Sequence, residues 1–157
     1  MLFGKKTTRY LLKINYYCDK ILLVKNKVIL QEGISMNVIV SQNAPKAIGP
    51  YSQAMVSNGM LYISGTAGVD PQTGKLQEGI EAQTEQAVKN IAAILEAAGS
   101  DFSKVVKTTC FLYDMKDFAA FNAIYEKAFI SKPARSCVAV KELPAHFLCE
   151  IEVIAEV

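Results

Sequence analysis

The sequence predicts an α+β domain: a mainly antiparallel sheet of six strands with two helices on one face. Three observations carry this. The apolar patterns run in the order β-β-β-α-β-α-β-β, an Asn-Gly pair joins two of the strand patterns, and only two helical stripes are present. Two helices cover one face of a sheet this size, so the other face must meet water or another subunit.

Asn37 to Ser41 is a short strand candidate, followed by a turn-rich stretch ending at Gly49-Pro50. Tyr51 to Ser57 and Met60 to Thr66 read as strands joined at Asn58-Gly59, the strongest short-range hairpin signal. Asp70 to Gly74 is a turn. From Glu78 to Ala98, residues Thr84, Ala87, Val88, Ile91, Leu95 and Ala98 recur at helical spacing, and Gly99 is placed to end that helix. Lys104 to Tyr113 is rich in Val, Thr and aromatic residues, hence a strand. Asp114 opens a second helix with Phe118, Phe121, Ile124, Tyr125 and Phe129 on its buried side. Two strands close the chain, Ala134 to Lys141 and Phe147 to Val157, separated by a turn at Leu143-Pro144. In the last strand Phe147, Cys149, Ile151, Val153 and Ala155 suit a helix-covered face. The alternate residues Leu148, Glu150, Glu152, Ile154 and Glu156 are too apolar a mixture for plain solvent exposure, and an oligomer is the economical explanation.

The composition, 51% apolar over 157 residues, suits one globular domain, and no apolar run is long enough for a membrane-spanning helix. The four cysteines (Cys18, Cys110, Cys137, Cys149) lack C-x-x-C spacing and His146 is the only histidine, so no metal is expected. The thiols read as reduced residues of a cytoplasmic protein. The net charge of +2 divides unevenly: residues 1–35 balance at +5 and residues 36–157 at −3. The domain therefore lacks the basic bias of a nucleic-acid binder.

The basic first 35 residues admit three readings: a targeting peptide, a nucleic-acid arm, or sequence upstream of a natural start at Met36. The third is the expectation, because codons for Gln31-Glu32-Gly33 can spell a purine-rich ribosome-binding stretch. A β-ribbon around Lys25-Asn26-Lys27 is expected between Ile21 and Leu30.

The informative chemistry lies in the closing strands. Arg135 and Cys137 are two apart and share a face, and Glu150 is placed on a neighbouring strand. A guanidinium can clamp a carboxylate through two parallel hydrogen bonds, and a carboxylate can position or deprotonate water. Together they suggest a pocket where water attacks a small anionic substrate. A plain Arg–Glu cross-strand pair beside a buried Cys is the structural alternative, open at this point. Ser64-Gly65 is either a bulge or a place where backbone approaches a ligand closely. No histidine lies near Cys137 in sequence to activate it, so a packing and backbone role is preferred. Tyr51 follows Gly49-Pro50, which would fix its direction, and His146 reads as a surface-loop residue.

Several stretches, in one order over residues 37–157, resemble the Rid proteins, reactive intermediate deaminases of the RidA (YjgF-like) type. They include Asn43-Ala44-Pro45, Ile48-Gly49-Pro50-Tyr51, Leu61 to Gly65, Val106 to Thr109, Pro133 to Val138 and Glu150 to Ala155. The resemblance implies a chorismate-mutase-like fold and a homotrimer with active sites between subunits. It also implies hydrolysis of 2-aminoacrylate- and 2-aminocrotonate-type imines and enamines to 2-keto acids and ammonia, with no metal or cofactor. By the same resemblance Arg135 binds the ligand carboxylate with the backbone of Cys137 and Gly65 beside it, Tyr51 and Asn122 bind substrate, and Glu150 orients water. Two departures bear on substrate range: Thr66 stands where the family commonly has Gln, and the link Ile130-Ser131-Lys132-Pro133 is short. The rival functions are a non-enzymatic binding module for 2-keto acids or other small carboxylates, and an endoribonuclease or translation inhibitor. Glu150 separates the first from a deaminase, and the −3 domain charge weighs against the second.

Overall fold

The computed structural model describes residues 36–157 throughout and, before them, the strands β1 (Ile21–Val24) and β2 (Lys27–Leu30). These two pair antiparallel, Ile21 opposite Leu30, as the ribbon reading expected; Cys18, Lys25 and Asn26 lie outside the described residues. Contacts divide the chain into units of residues 1–35 and 36–157.

The second unit is a six-stranded sheet in the order β3-β4-β5-β8-β6-β7. Its strands are β3 (Met36–Ile39), β4 (Ala54–Ser57), β5 (Met60–Ala67), β6 (Val105–Leu112), β7 (Ala134–Ala139) and β8 (Cys149–Glu156). All neighbours are antiparallel except β6 and β7. The β4–β5 hairpin turns at Asn58 (φ 51°) and Gly59 (φ 74°), the two left-handed positions that a tight two-residue hairpin requires. Helix α1 (Gly79–Ala97) ends as read from the sequence: Gly99 at φ 73° donates its N–H to the Glu96 carbonyl. The second helix opens more gradually than expected. Asp114 Oδ1 accepts from the Lys116 N–H at 2.9 Å and caps a 3-10 turn, Met115–Asp117, which runs into α2 (Phe118–Ala128).

One expectation is corrected. The closing strands β7 and β8 are not neighbours, because β6 lies between them. The reason is the connection: α2 crosses over between β6 and β7 and makes them parallel, whereas β8 returns antiparallel on the other side of β6. Arg135 therefore pairs in register with Thr108, and Glu150 with Phe111 and, across β5, with Ala67.

The core lies between the helices and one face of the sheet. In β8 Cys149, Ile151, Val153 and Ala155 are fully buried while Glu150, Glu152, Ile154 and Glu156 are not. The stripe read for α1 packs as expected: Ala87 is buried, and Ile91 and Leu95 share one core with Leu61, Ile63 and Val153. Phe121, Tyr125 and Phe129 of the α2 stretch join the same core. Periodicity of apolar residues does not reveal that α1 also buries Gln83 and Asn90. Asn90 donates to the carbonyls of Ala67 and Val69, and Gln83 accepts the Leu148 N–H, so α1 fixes both the exit of β5 and the entry to β8. Among the described residues all buried members of this core lie between Ala44 and Ala155, and a chain beginning at Met36 is expected to fold with an unchanged thermal midpoint. A large drop in circular-dichroism melts would show that residues 1–35 are structural.

Candidate active site

Residues singled out in the sequence fall into two groups. Tyr51, Gly65 and Glu150 line one cleft of about 490 Å³, together with Thr66, Ile94 and Phe147. Arg135, Cys137 and Asn122 form the other group, at β7 and α2.

The first group is built on an irregularity of β5. Its register against β8 shifts between Ile63 and Thr66, leaving Ser64-Gly65 as a bulge. Ser64 ties the bulge to the preceding segment: its N–H donates to the Gln53 carbonyl at 3.0 Å and its hydroxyl to the Ser52 carbonyl at 2.7 Å. Of the two sequence readings of Ser64-Gly65, the bulge is the one observed. What approaches its backbone is the Glu150 side chain, for a Cβ added at Gly65 would fall on the Glu150 carboxylate. Burial, and next the charge of Glu152 two residues along, push the Glu150 carboxyl above the usual carboxylate range.

The wall opposite is held by Gln53, which the sequence reading did not single out. Its side chain accepts the Ser41 N–H at 2.7 Å and its amide donates to the carbonyls of Ser41, Ala44 and Pro45. This fixes the segment that carries Pro45 to Ile48 along the cleft. A buried Gln whose partners are all backbone leaves no periodic signal in sequence. Tyr51 is half exposed, with its hydroxyl accepting the Ile48 N–H at 3.4 Å. His146 is exposed, as expected of a loop residue.

In the second group the Arg135 Nη1 donates to Asn122 Oδ1 at 2.8 Å, and Cζ stands 4.6 Å from the Tyr125 ring centroid and 5.7 Å from that of Phe118. Cys137 lies beside Cys110 in register. Burial raises all three described thiols: Cys137 above its ordinary value, Cys149 to about 11 and Cys110 to about 12. All are neutral at physiological pH, so none is a ready thiolate nucleophile. No group of three or more His, Cys, Asp or Glu able to hold a metal occurs among the described residues, and no helix there is long and apolar enough to cross a membrane.

The two groups do not meet within one chain. Arg135 projects onto α2, on the helix-covered side, whereas Glu150 alternates with buried Cys149 and Ile151 and projects to the other. The plain Arg–Glu cross-strand pair is therefore not formed, and Gly65 lies beside Glu150 rather than beside Arg135. Among the described residues the one ion pair joins Lys116 and Asp114.

The family model described as Endoribonuclease L-PSP matches residues 41–157. The chain belongs to this family. Among its relatives, a candidate regulator of Lactococcus lactis, AldR, is 54% identical over 124 residues, 78% of this chain and 98% of its own length. The 2-iminobutanoate/2-iminopropanoate deaminase of Salmonella typhimurium is 47% identical over 121 residues, 74% of this chain and 94% of its own. The crystal structure of YyfA from Yersinia pestis, a member of the Rid protein family, matches with a TM-score of 0.76 at 49% identity, covering 78% of this chain and 100% of that one. The resemblance to Rid proteins is thereby shown, and with it the chorismate-mutase-like fold.

Two outcomes follow from the first group. Glu150 binds its proton more tightly in the folded than in the unfolded chain. Its contribution to stability is therefore complete below the ordinary carboxylate pKa and is lost as pH rises through the raised folded value. Glu150→Gln carries no charge to bury, so calorimetry should find it melting above the parent at pH 8, with the gap closing toward pH 4. Gly65→Ala encroaches on the mobile end of Glu150 and not on backbone, so it should displace the carboxylate at a stability cost of only about 1 kcal/mol. Titration of the Glu150 carboxyl by NMR should then move toward the ordinary range.

Proposed function

We propose that the protein hydrolyses 2-imino and enamine acids of the 2-aminoacrylate and 2-aminocrotonate type to 2-keto acids and ammonia. The observation that carries this reading is the division of the chemistry into two groups in one chain: an arginine with no carboxylate partner among the described residues, and a carboxylate with a raised pKa in a cleft. A homotrimer would bring the Arg135 half of one subunit against the Glu150 half of the next. The helix-free sheet face, with Tyr62 46% exposed beside Ile154, offers apolar surface for such an assembly.

In the completed site Arg135 grips the substrate carboxylate at two points, and Asn122 and the Cys137 backbone hold the same end of the molecule. The enamine tautomerises to an imine, whose carbon lies over Gly65 beside Tyr51. Glu150 takes a proton from water as the water oxygen bonds to the carbon of the protonated imine, giving a carbinolamine. It returns that proton to the amine, then takes the hydroxyl proton as the C–N bond breaks and the carbonyl forms, and passes it to the departing ammonia, so that 2-keto acid and ammonium leave and the carboxylate is restored. Raising the carboxyl pKa makes the carboxylate a stronger proton acceptor, which favours a group that must take a proton from water and hand it on. Imines hydrolyse readily unaided, so positioning with one acid–base group, worth ~10²–10⁴-fold, is sufficient.

Arg135→Lys keeps the charge but loses the planar grip, and should weaken 2-ketobutyrate binding about 10- to 100-fold by calorimetry. Glu150→Gln should bind the keto acid nearly as the parent does while turnover of 2-aminocrotonate falls ~10²–10⁴-fold. Parental turnover by Glu150→Gln would leave only a carboxylate-binding module. The shared site has its own test. Arg135→Ala and Glu150→Gln chains, each inactive alone, should regain about a quarter of parental activity when refolded together, the share of mixed sites given by random assortment. No recovery, or a monomer in sedimentation equilibrium, would remove the trimer and its intersubunit site.

A further inference from the structure

Arg135 is a cation without a carboxylate partner among the described residues, yet it is half-buried and held in one place. What holds it is one stripe of α2. Phe118, Asn122 and Tyr125, spaced by four and three residues, present a ring, an amide oxygen and a second ring to the guanidinium. Of these the Tyr125 face is the nearer ring, at 4.6 Å. Its ring is itself fixed from both sides. It stacks on Phe129 with centroids 4.1 Å apart at 16°, and its hydroxyl is 2.7 Å from that of Thr108, which is fully buried. Thr108 is also the register partner of Arg135 across the β6–β7 pair. The contacts close a loop: the Arg135 backbone lies beside Thr108, the Thr108 hydroxyl sets Tyr125, and the Tyr125 ring lies under the Arg135 guanidinium.

We infer that Tyr125 is the positioning residue for Arg135, a neutral π-face standing where a counter-ion would otherwise be needed, with Thr108 setting its height. A carboxylate in that place would hold the guanidinium equally well, but it would compete with an incoming carboxylate for the same donors. A ring face orients the cation and leaves its charge and its outward N–H groups free for a ligand. The Thr108–Tyr125 bond gives the ring a reason to be tyrosine, since a buried hydroxyl is retained only where it finds a partner. This rests on the reading of Arg135 as the carboxylate grip.

The test is a substitution series with two readouts, 2-ketobutyrate affinity and steady-state turnover of 2-aminocrotonate. Tyr125→Leu removes the π-face and should raise KM and the dissociation constant about 3- to 30-fold, the range that a cation–π contact spans, with kcat changed less than about 2-fold. Tyr125→Phe keeps the face and should recover most of that loss, even where its melting temperature falls for want of the Thr108 bond. If Tyr125 acts through Arg135, the Leu substitution should have no further effect on affinity in an Arg135→Lys background. Equal losses for Tyr125→Phe and Tyr125→Leu, additive losses in the double variant, or parental affinity in Tyr125→Leu would each overturn the inference. Should Tyr125→Leu not fold, Tyr125→Met fills much of the same space without a π-face, and parental affinity there again refutes the inference. Failure of the parent protein itself to bind the keto acid would instead count against the proposed activity.

Discussion

Strand β8 alternates between an apolar side turned to the core and a face that carries carboxylates, and the position of Glu150 derives from that alternation. Cys149, Ile151, Val153 and Ala155 are held inward by the two helices, so Glu150 has only the other side available. A slip of one residue would drive the carboxylates of Glu150 and Glu152 into the core and expose four apolar side chains, which makes the register strongly determined. The bulge at Ser64-Gly65 is the local adjustment that makes room for Glu150 against β5, and the polar side chains of α1 hold the chain ends on either side of it.

The same two-sidedness accounts for the uneven chemistry of the groups. Arg135 lies where aromatic helix residues are available, so it is held by rings and an amide. Glu150 projects from the other face of the sheet, and its carboxyl is shaped by burial in the cleft and by the neighbouring Glu152.

Local periodicity made the order of the six strands, both helices, the Asn58-Gly59 hairpin and the Gly99 cap legible, because each is a statement about near neighbours in sequence. The position of β6 between β7 and β8 was not, since it depends on how the α2 crossover returns to the sheet. That single unknown placed Glu150 on the wrong neighbour of Arg135. Of the candidate residues, Arg135 and Glu150 stand out as charges amid apolar strands, and Tyr51, Gly65, Cys137 and Asn122 have places near one or the other. Gln53, Thr108 and the second role of Tyr125 escaped notice because their partners are backbone carbonyls, or a side chain brought close only by the parallel register. Buried polar residues of this kind look like interruptions in a hydrophobic pattern until their partners are located.

The place of each strand in the sheet has a mechanical consequence. β8 is an interior strand, hydrogen-bonded on both edges and backed by α1, whereas β7 is the last strand of the single chain and has one bonded neighbour. Interior strands open only with the whole domain, while edge strands yield at lower cost. Glu150 therefore rides on a stiff support and Arg135 on a compliant one. In the shared cleft proposed above, such unequal halves would hold Glu150 in place while the strand under Arg135 adjusts to ligands of different length, so tolerance toward side-chain size would be set at the edge of the sheet and constancy at its centre.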